Sequence, residues 1–236
     1  MNSSNDVQSL SREGETQGTA LADFIRREIV AGEFAPGTKL KVRELSDRYG
    51  VGATPVREAL SRLIPTSLVV AEDRRGFRVA GVSGDELNKL TWTRIQSEVV
   101  ALKASIANGG VGWEGGVVAA HHRLTRTPRP KDQSLPGYRD WEQAHQDFHA
   151  ALLSGCDSPW LLDFIAALSD QFSRYRRLSG QKSNRRSRGA ARNVEAEHQA
   201  LFEAVVGRRT ELACRLLEAH YQATADLVLA CEELTG

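Results

Sequence analysis

Four histidines in the second half of the chain have a spacing that suits a shared metal ion. His145 and His149 lie four residues apart, so one helical face would present both imidazoles. His198 and His220 fall in two later helical patterns, and if those helices pair near Gly207 both histidines could point into one bundle core. The alternative is four separate, partly buried histidines bonded to backbone or carboxylates. Spacing alone does not decide between the two.

A second group of residues has the chemistry to contact nucleic acid. Between Lys39 and Arg78 there are nine lysines or arginines against five acids, although the formal net charge of the whole chain is only +1. This uneven distribution favours phosphate contact in that segment. The alternative is that Arg43 and Arg57 are ordinary solvated residues on surface helices, with or without an ion pair to Glu44 or Glu58.

Short elements would position these arginines. Apolar residues recur at helical spacing in three segments, and the turn Gly50-Val51-Gly52 separates the last two. Thr54 is the predicted N-cap of the third helix, and two β-prone runs after it predict a hairpin. This order is that of a helix-turn-helix followed by a wing. The predicted helices are Ala20–Val30, Val42–Tyr49 and Thr54–Pro65, and the predicted strands are Leu68–Val70 and Phe77–Val79.

The rest of the chain has only helical patterns, which open at a capping box, Ser83 to Glu86. We therefore predict a mainly α fold with a disordered tail over 1–18, a winged helix-turn-helix over 19–82 and an all-helical bundle over 83–236. The six predicted bundle helices are Asp85–Ala107, Trp113–Arg126, Tyr138–Ser154, Pro159–Leu178, Asn193–Gly207 and Thr210–Glu233.

Composition narrows the class of protein further. The three cysteines among 236 residues are odd in number and form no C-x-x-C pair, so neither a disulfide framework nor a thiolate metal site is expected, and a reducing cytoplasm fits best. No apolar run approaches the roughly 18 residues that span a bilayer, so no membrane partner is expected.

The DNA-binding pattern resembles a known family. The segment PGTKLKVRELSDRYGVGATPVREALSRL, followed by GFRV, is similar to the winged helix-turn-helix of the GntR family of bacterial regulators. The resemblance implies that Arg43 and Arg57 contact operator guanines or phosphates, that Thr54 binds a phosphate, and that Gly76 lets the wing approach the minor groove.

Two positions depart from the family pattern. An arginine usually precedes Thr54, where this chain has Ala53, so a base contact is missing and the operator differs from the usual one. A glycine usually follows the recognition helix, where this chain has Ser67.

The helical half resembles the FCD effector domain of the FadR subfamily, on the segments HQDFHAALLSGCDSPWLLDFI and EHQALFEAVVGRRTELACRLLEAHY. The resemblance implies a divalent metal held by one aspartate and three histidines, which carry over to His149, His198 and His220, and a carboxylate ligand. His145 stands where the aspartate is expected, and Asp147 points to roughly the opposite helical face. A set of four histidines suits Zn, Ni or Cu, and Zn or Ni is the predicted cofactor.

Other residues of this half have two interpretations each. Arg94 and Glu98 form either a surface ion pair or, as the resemblance implies, an inward pair in which Arg94 clamps a ligand carboxylate. The four tryptophans are expected in the core or at a dimer interface rather than around a ligand. The segments GGVGWEGG and SGCDSPWLL are most similar to CsiR-type members, which implies a small dicarboxylate.

A basic run lies between Arg174 and Arg192, with eight lysines or arginines and no acid. We predict a solvated, mobile loop there. The alternative is a second contact with nucleic acid.

The function predicted from these features is a ligand-responsive repressor in the bacterial cytoplasm. It would bind a palindromic DNA operator on the nucleoid as a homodimer, and a small carboxylic acid bound in the metal-containing helical domain would release it. One alternative is a metal sensor, in which the ion itself is the signal. A histidine-ligated metalloenzyme is a weaker one, because the chain has no H-E-x-x-H motif and no general base beside the cluster.

Overall fold

The computed structural model describes residues 16–72, 75–130, 137–182 and 192–230. The chain divides into two compact units, one ending at Val82 and one beginning at Ser83. Among the described helices, none is long and apolar enough to cross a membrane. Cys156 and Cys214 are both buried and unpaired.

In the described residues of the first unit, three helices pack against a small antiparallel sheet. The helices are α1 (Gln17–Val30), α2 (Val42–Tyr49) and α3 (Ala53–Arg62), and the strands are β1 (Lys39–Leu40), β2 (Val69–Glu72) and β3 (Gly76–Val79). The strand order is β1-β3-β2. The predicted hairpin is confirmed, with Val69 opposite Val79 and Glu72 opposite Gly76. Strand β1 was not predicted, because two residues are too few to show an alternating pattern.

The apolar stripes of these helices form the core of the first unit. Leu21, Ile25 and Ile29 of α1 are buried with Val56 and Leu60 of α3. Arg57 therefore lies on the opposite, exposed face of α3.

Two predicted helix starts are wrong. Helix α3 begins at Ala53 with Gly52 as its N-cap, so Thr54 lies inside the first turn rather than capping it. Pro55 is tolerated there because the first N–H groups of a helix have no intrahelical acceptor. Helix α1 begins at Gln17, inside the predicted tail 1–18, because the Thr16 side chain accepts a hydrogen bond from the backbone N–H of Thr19. Residues 1–15 of that tail lie outside the described residues.

Ser67 adopts the left-handed backbone conformation, with φ 57°. That conformation costs an L-residue roughly 1–2 kcal/mol, which explains why a glycine suits this turn. We expect Ser67→Gly to raise the free energy of unfolding by about 0.5–1 kcal/mol, since the more flexible unfolded chain offsets part of the gain. Urea unfolding measures this.

Ser61→Gly is the matched control for Ser67→Gly. It makes the same chemical change inside α3 and should lower the stability instead. A loss of stability in Ser67→Gly as large as in this control would contradict the assignment of strain to Ser67.

The described part of the second unit is a bundle of six α-helices. They are α4 (Gly84–Asn108), α5 (Val111–Arg126), α6 (Tyr138–Leu153), α7 (Pro159–Lys182), α8 (Val194–Val206) and α9 (Thr210–Leu229), with a 3-10 turn at Ser154–Cys156. These confirm the predicted all-helical fold. The side chain of Ser83 caps α4 by accepting from the backbone N–H of Glu86. Only this half of the capping box forms, because the Ser83 N–H donates to the Tyr175 hydroxyl.

The tryptophans of the bundle divide into two groups. Trp141 is buried in the core. Trp113 packs against that core, and its indole N–H donates to the carbonyl of Ala151. Trp92 and Trp160 are 66% and 89% exposed, so neither lies in the core of this chain, and their place at a dimer interface stays a prediction.

Candidate functional site

The four predicted histidines converge in the second unit. His145 and His149 come from α6, His198 from α8 and His220 from α9. All four are buried, and one ring nitrogen of each lies within 4.8 Å of the others. The prediction that these side chains share one bundle core is therefore right, and the alternative of four separate histidines is wrong.

Burial sets the protonation of this cluster. Desolvation lowers the pKa of each of the four imidazoles, and that of His198 falls to about 3. The rings are therefore neutral at physiological pH, which is the form that ligates a metal. The Nε2 atoms of His149 and His198 are buried and have no hydrogen-bond partner among the described residues. A metal ion bound among these nitrogens would satisfy their unused lone pairs. The cluster therefore fits the predicted metal.

The Nδ1 atom of His220, called here its outer nitrogen, is held by a carboxylate. Glu197 Oε2 lies 2.8 Å from His220 Nδ1, and Arg192 bonds the same carboxylate through Nε and Nη2. Burial would raise the pKa of Glu197, but hydrogen bonds from His220 and Arg192 lower it to about 2. An ionised carboxylate behind a histidine is the partner that commonly orients a metal ligand.

The outer nitrogen of His149 is held by a tyrosine. The Tyr221 hydroxyl lies 3.0 Å from His149 Nδ1 and donates to Glu98 Oε2 at 2.5 Å. Burial raises the pKa of Tyr221, so the hydroxyl keeps its proton. Because that proton goes to Glu98, the hydroxyl oxygen accepts from His149 Nδ1–H.

Arg94 belongs to the same buried network. Its Nε donates to Glu98 Oε1 at 2.5 Å and its Nη2 to the Tyr221 hydroxyl at 3.0 Å, and only 4% of the residue is exposed. The alternative of a surface ion pair is therefore wrong. The remaining terminal nitrogen, Nη1, makes no hydrogen bond with the described residues and is the donor that a carboxylate ligand could use.

Two arginines of the basic run, Arg176 and Arg192, contact the histidine cluster instead of facing solvent. Arg174 is buried, while Arg176 lies on α7 with Nη1 3.2 Å from His145 Nδ1 and Nη2 on Glu142. At the other end, Arg192 bonds Glu197 and the carbonyl of His220. The loop prediction is therefore wrong for 174–182, which are helical, and Arg192 lies in a loop but is not solvated, because it pairs with Glu197. Residues 183–191 of the run lie outside the described residues.

The partners of the histidines were not found from the sequence. Glu197 directly precedes His198 and Glu142 precedes His145 by three residues, so both were visible only as ordinary helix acids. Tyr221 and Glu98 are 123 residues apart, and no local pattern links them.

The predicted DNA-contacting residues lie on the surface of the first unit. Arg43, Thr54 and Arg57 are exposed, and neither arginine has a hydrogen bond or ion pair within the described part of the chain. Their neighbouring glutamates are used elsewhere: Glu44 pairs with Lys41, and Glu58 pairs with Arg62. The pairing of Arg43 and Arg57 with these acids is therefore wrong, while the choice between solvated surface residues and DNA contacts stays a prediction.

Gly76 begins β3 in the wing. Its φ is +89°, a conformation that favours glycine, and no atom of the described residues beyond its chain neighbours lies within 4 Å of where a Cβ would be. The backbone at this point is therefore open to close approach by another molecule.

Comparison with known proteins agrees with both halves of this description. Residues 17–79 match the family described as bacterial regulatory proteins, gntR family, and residues 90–223 match the FCD domain. The chain is 38% identical over 205 residues to the uncharacterized HTH-type transcriptional regulator BphR of Paraburkholderia xenovorans, an alignment that covers 86% of this chain and 82% of BphR. It is 34% identical over 197 residues to the HTH-type transcriptional repressor GlaR of Escherichia coli, covering 84% and 89%.

Solved structures share the fold. McbR/YncC of E. coli superposes with a TM-score of 0.77 at 18% identity, covering 92% of this chain and 98% of that one. A GntR regulator from Rhodococcus sp. RHA1 superposes with a TM-score of 0.71 at 20% identity, covering 92% and 99%. The matched families and relatives are transcription regulators and not enzymes. The chain belongs to the GntR family of bacterial transcription regulators, with the FCD domain of the FadR subfamily after its winged helix-turn-helix.

Proposed function

We propose that this regulator is a repressor that binds a palindromic operator as a homodimer and is released by a small carboxylic acid bound in its metal-containing FCD domain. The observation that carries the proposal is the buried cluster of four neutral histidines beside Arg94. A regulator with no ligand would gain nothing from burying so many polar rings, because unpaired buried nitrogens cost stability. Repression, rather than activation, is supported by GlaR, a relative whose name describes a repressor.

The metal would be held by imidazole nitrogens of the cluster. The sequence predicts His145, His149, His198 and His220 as its ligands, and nitrogen donors without a carboxylate favour Zn or Ni over Mg or Ca. When bound, the metal supplies a positive charge that attracts a carboxylate oxygen. His145 stands where related FCD domains have an aspartate. The site is therefore one charge more positive than theirs, which favours binding of an anion.

Arg94 is the residue that would recognise the acid. Its Nη1 has no partner in the described part of the chain, while Glu98 and Tyr221 fix the rest of the guanidinium. A guanidinium held in this way loses little side-chain entropy when it binds a carboxylate. The CsiR-type resemblance adds the proposal that the acid is a small dicarboxylate.

Exposed apolar side chains support the proposed homodimer. Trp92 and Val100 on α4, and Trp160 and Phe164 on α7, are all large and exposed, and α4 packs against α7. Apolar side chains grouped on adjoining elements are typical of protein interfaces. Two chains related by a twofold axis would match a palindromic operator.

DNA from directly upstream of the protein's own coding sequence tests the operator proposal. We expect the purified protein to protect a palindromic site there as a dimer, with an affinity at least about 10³-fold above that for unrelated DNA. Footprinting locates the site, and light scattering gives the mass of the complex. Equal affinity for upstream and unrelated DNA at physiological salt would contradict the proposal.

A metal sensor is the second candidate function. The observation that favours it is that all four donors are imidazoles, a set that selects transition metals strongly. Release of DNA by Zn²⁺ or Ni²⁺ with no organic acid present would favour the sensor over the acid-responsive repressor.

A further inference from the structure

The neighbour of His145 Nδ1 decides which nitrogen of that ring carries the proton. Arg176 Nη1 lies 3.2 Å away, and the described contacts of His145 Nδ1 include no carboxylate, hydroxyl or carbonyl acceptor. A guanidinium can only donate hydrogen bonds, so Nδ1 of His145 must accept. The neutral ring then carries its proton on Nε2.

The other two histidines with described Nδ1 partners have the opposite tautomer. Nδ1 of His149 donates to the Tyr221 hydroxyl, whose own proton goes to Glu98. Nδ1 of His220 faces the ionised Glu197 at 2.8 Å. In both rings the proton is therefore on Nδ1, and Nε2 has a free lone pair.

Arg192 also lies near His220 but does not change this assignment. Its Nη2 is 3.2 Å from His220 Nδ1, yet the two hydrogens of that nitrogen have closer acceptors, Glu197 Oε2 and the His220 carbonyl oxygen at 2.9 Å. Around His145 there is no equivalent carboxylate, because the described bonds of Glu142 run to Arg176 and Gln146.

We infer that His145 is not a fourth metal ligand but presents an N–H group to the site, so that His149, His198 and His220 alone hold the metal. This inference rests on the metal site proposed above and narrows the predicted set of four. Three protein ligands leave the fourth coordination position of a tetrahedral metal open for an anion, as in zinc sites that bind water or a substrate there. An N–H beside that position would donate to a bound carboxylate, and Arg176 becomes the positioning residue that fixes the tautomer of His145.

Zinc retention by single variants tests the ligand assignment. His145→Ala and His149→Ala are compared with the unmodified protein after incubation with Zn²⁺ and gel filtration, by elemental analysis and by competition with a chromophoric chelator. We expect His145→Ala to keep one zinc per chain with an affinity within about tenfold, and His149→Ala to lose more than about a hundredfold. Equal losses in the two variants would overturn the inference.

The tautomer itself is measured on the full chain labelled with ¹⁵N-histidine, by long-range ¹H–¹⁵N correlation. We expect the proton of His145 on Nε2 and those of His149 and His220 on Nδ1, with and without zinc. A His145 proton on Nδ1 would overturn the inference even if every variant folds poorly. If the unmodified protein binds no zinc, the metal proposal fails, while the tautomer measurement still decides the role of Arg176.

Discussion

Replacing Arg57 by alanine is expected to weaken specific operator binding strongly. The side chain is exposed on α3, the second helix of the helix-turn-helix, and it has no acid partner within the described residues. A good base contact contributes about 1–3 kcal/mol, and a symmetric dimer loses it twice, so the affinity should fall by about 30-fold to about 10⁴-fold. Fluorescence anisotropy with a labelled operator measures the loss at fixed salt.

Arg62→Ala is the matched control for this prediction. It removes the same charge from the same helix, but Arg62 is already paired with Glu58, so its loss should weaken binding far less. Operator affinity that is unchanged in Arg57→Ala, or that falls equally in both variants, would contradict the assignment of Arg57 as a base-contacting residue.

Replacing His149 by alanine has the second large expected effect. It removes a proposed metal ligand that is buried and whose Nδ1 atom is fixed by Tyr221, so metal affinity should fall by more than the roughly 10–100-fold that loss of a hydrogen-bond partner of a ligand costs. The variant should also keep its operator affinity but lose its response to acid. Elemental analysis and operator binding with added acid measure the two effects.

His122→Ala serves as the control, because His122 is an exposed histidine on α5 outside the cluster. It should keep both the metal and the acid response. Stoichiometric zinc of unchanged affinity in His149→Ala would contradict the assignment of His149 as a metal ligand.

The convergence of the histidines could be predicted because helical geometry requires part of it. Residues four apart on α6 lie on one face, and a short turn at Gly207 makes α8 and α9 antiparallel neighbours. The partners that set the tautomers could not be predicted. Tyr221, Glu98 and Arg176 reach the cluster from three different helices, and only tertiary packing brings them together.

The basic run shows why composition misled the prediction. A segment without acids is usually solvated, because it cannot neutralise itself locally. Arg176 and Arg192 are neutralised by Glu142 and Glu197, which lie 34 and 5 residues away in the chain. A count of charges within the run cannot detect such pairing.

In the first unit, element types could be predicted more reliably than their ends. The predicted bounds of helix α2 agree with the structure at both ends. Its C-terminal end is sharp because Gly50 adopts φ 66°. Helix α3 begins one residue before Thr54 because backbone geometry at Gly52, rather than a side-chain cap, starts it.

Operator release by acid, with and without metal, tests the central proposal most directly. Zinc-loaded and chelator-treated protein are each bound to the labelled upstream operator and titrated with small mono- and dicarboxylic acids, and anisotropy gives the affinity. We predict that an acid weakens binding by about 5–150-fold, the usual range of coupling between two sites, and only in the zinc-loaded protein. The account would be contradicted if acid released the operator equally from chelator-treated protein, or if no acid changed the operator affinity.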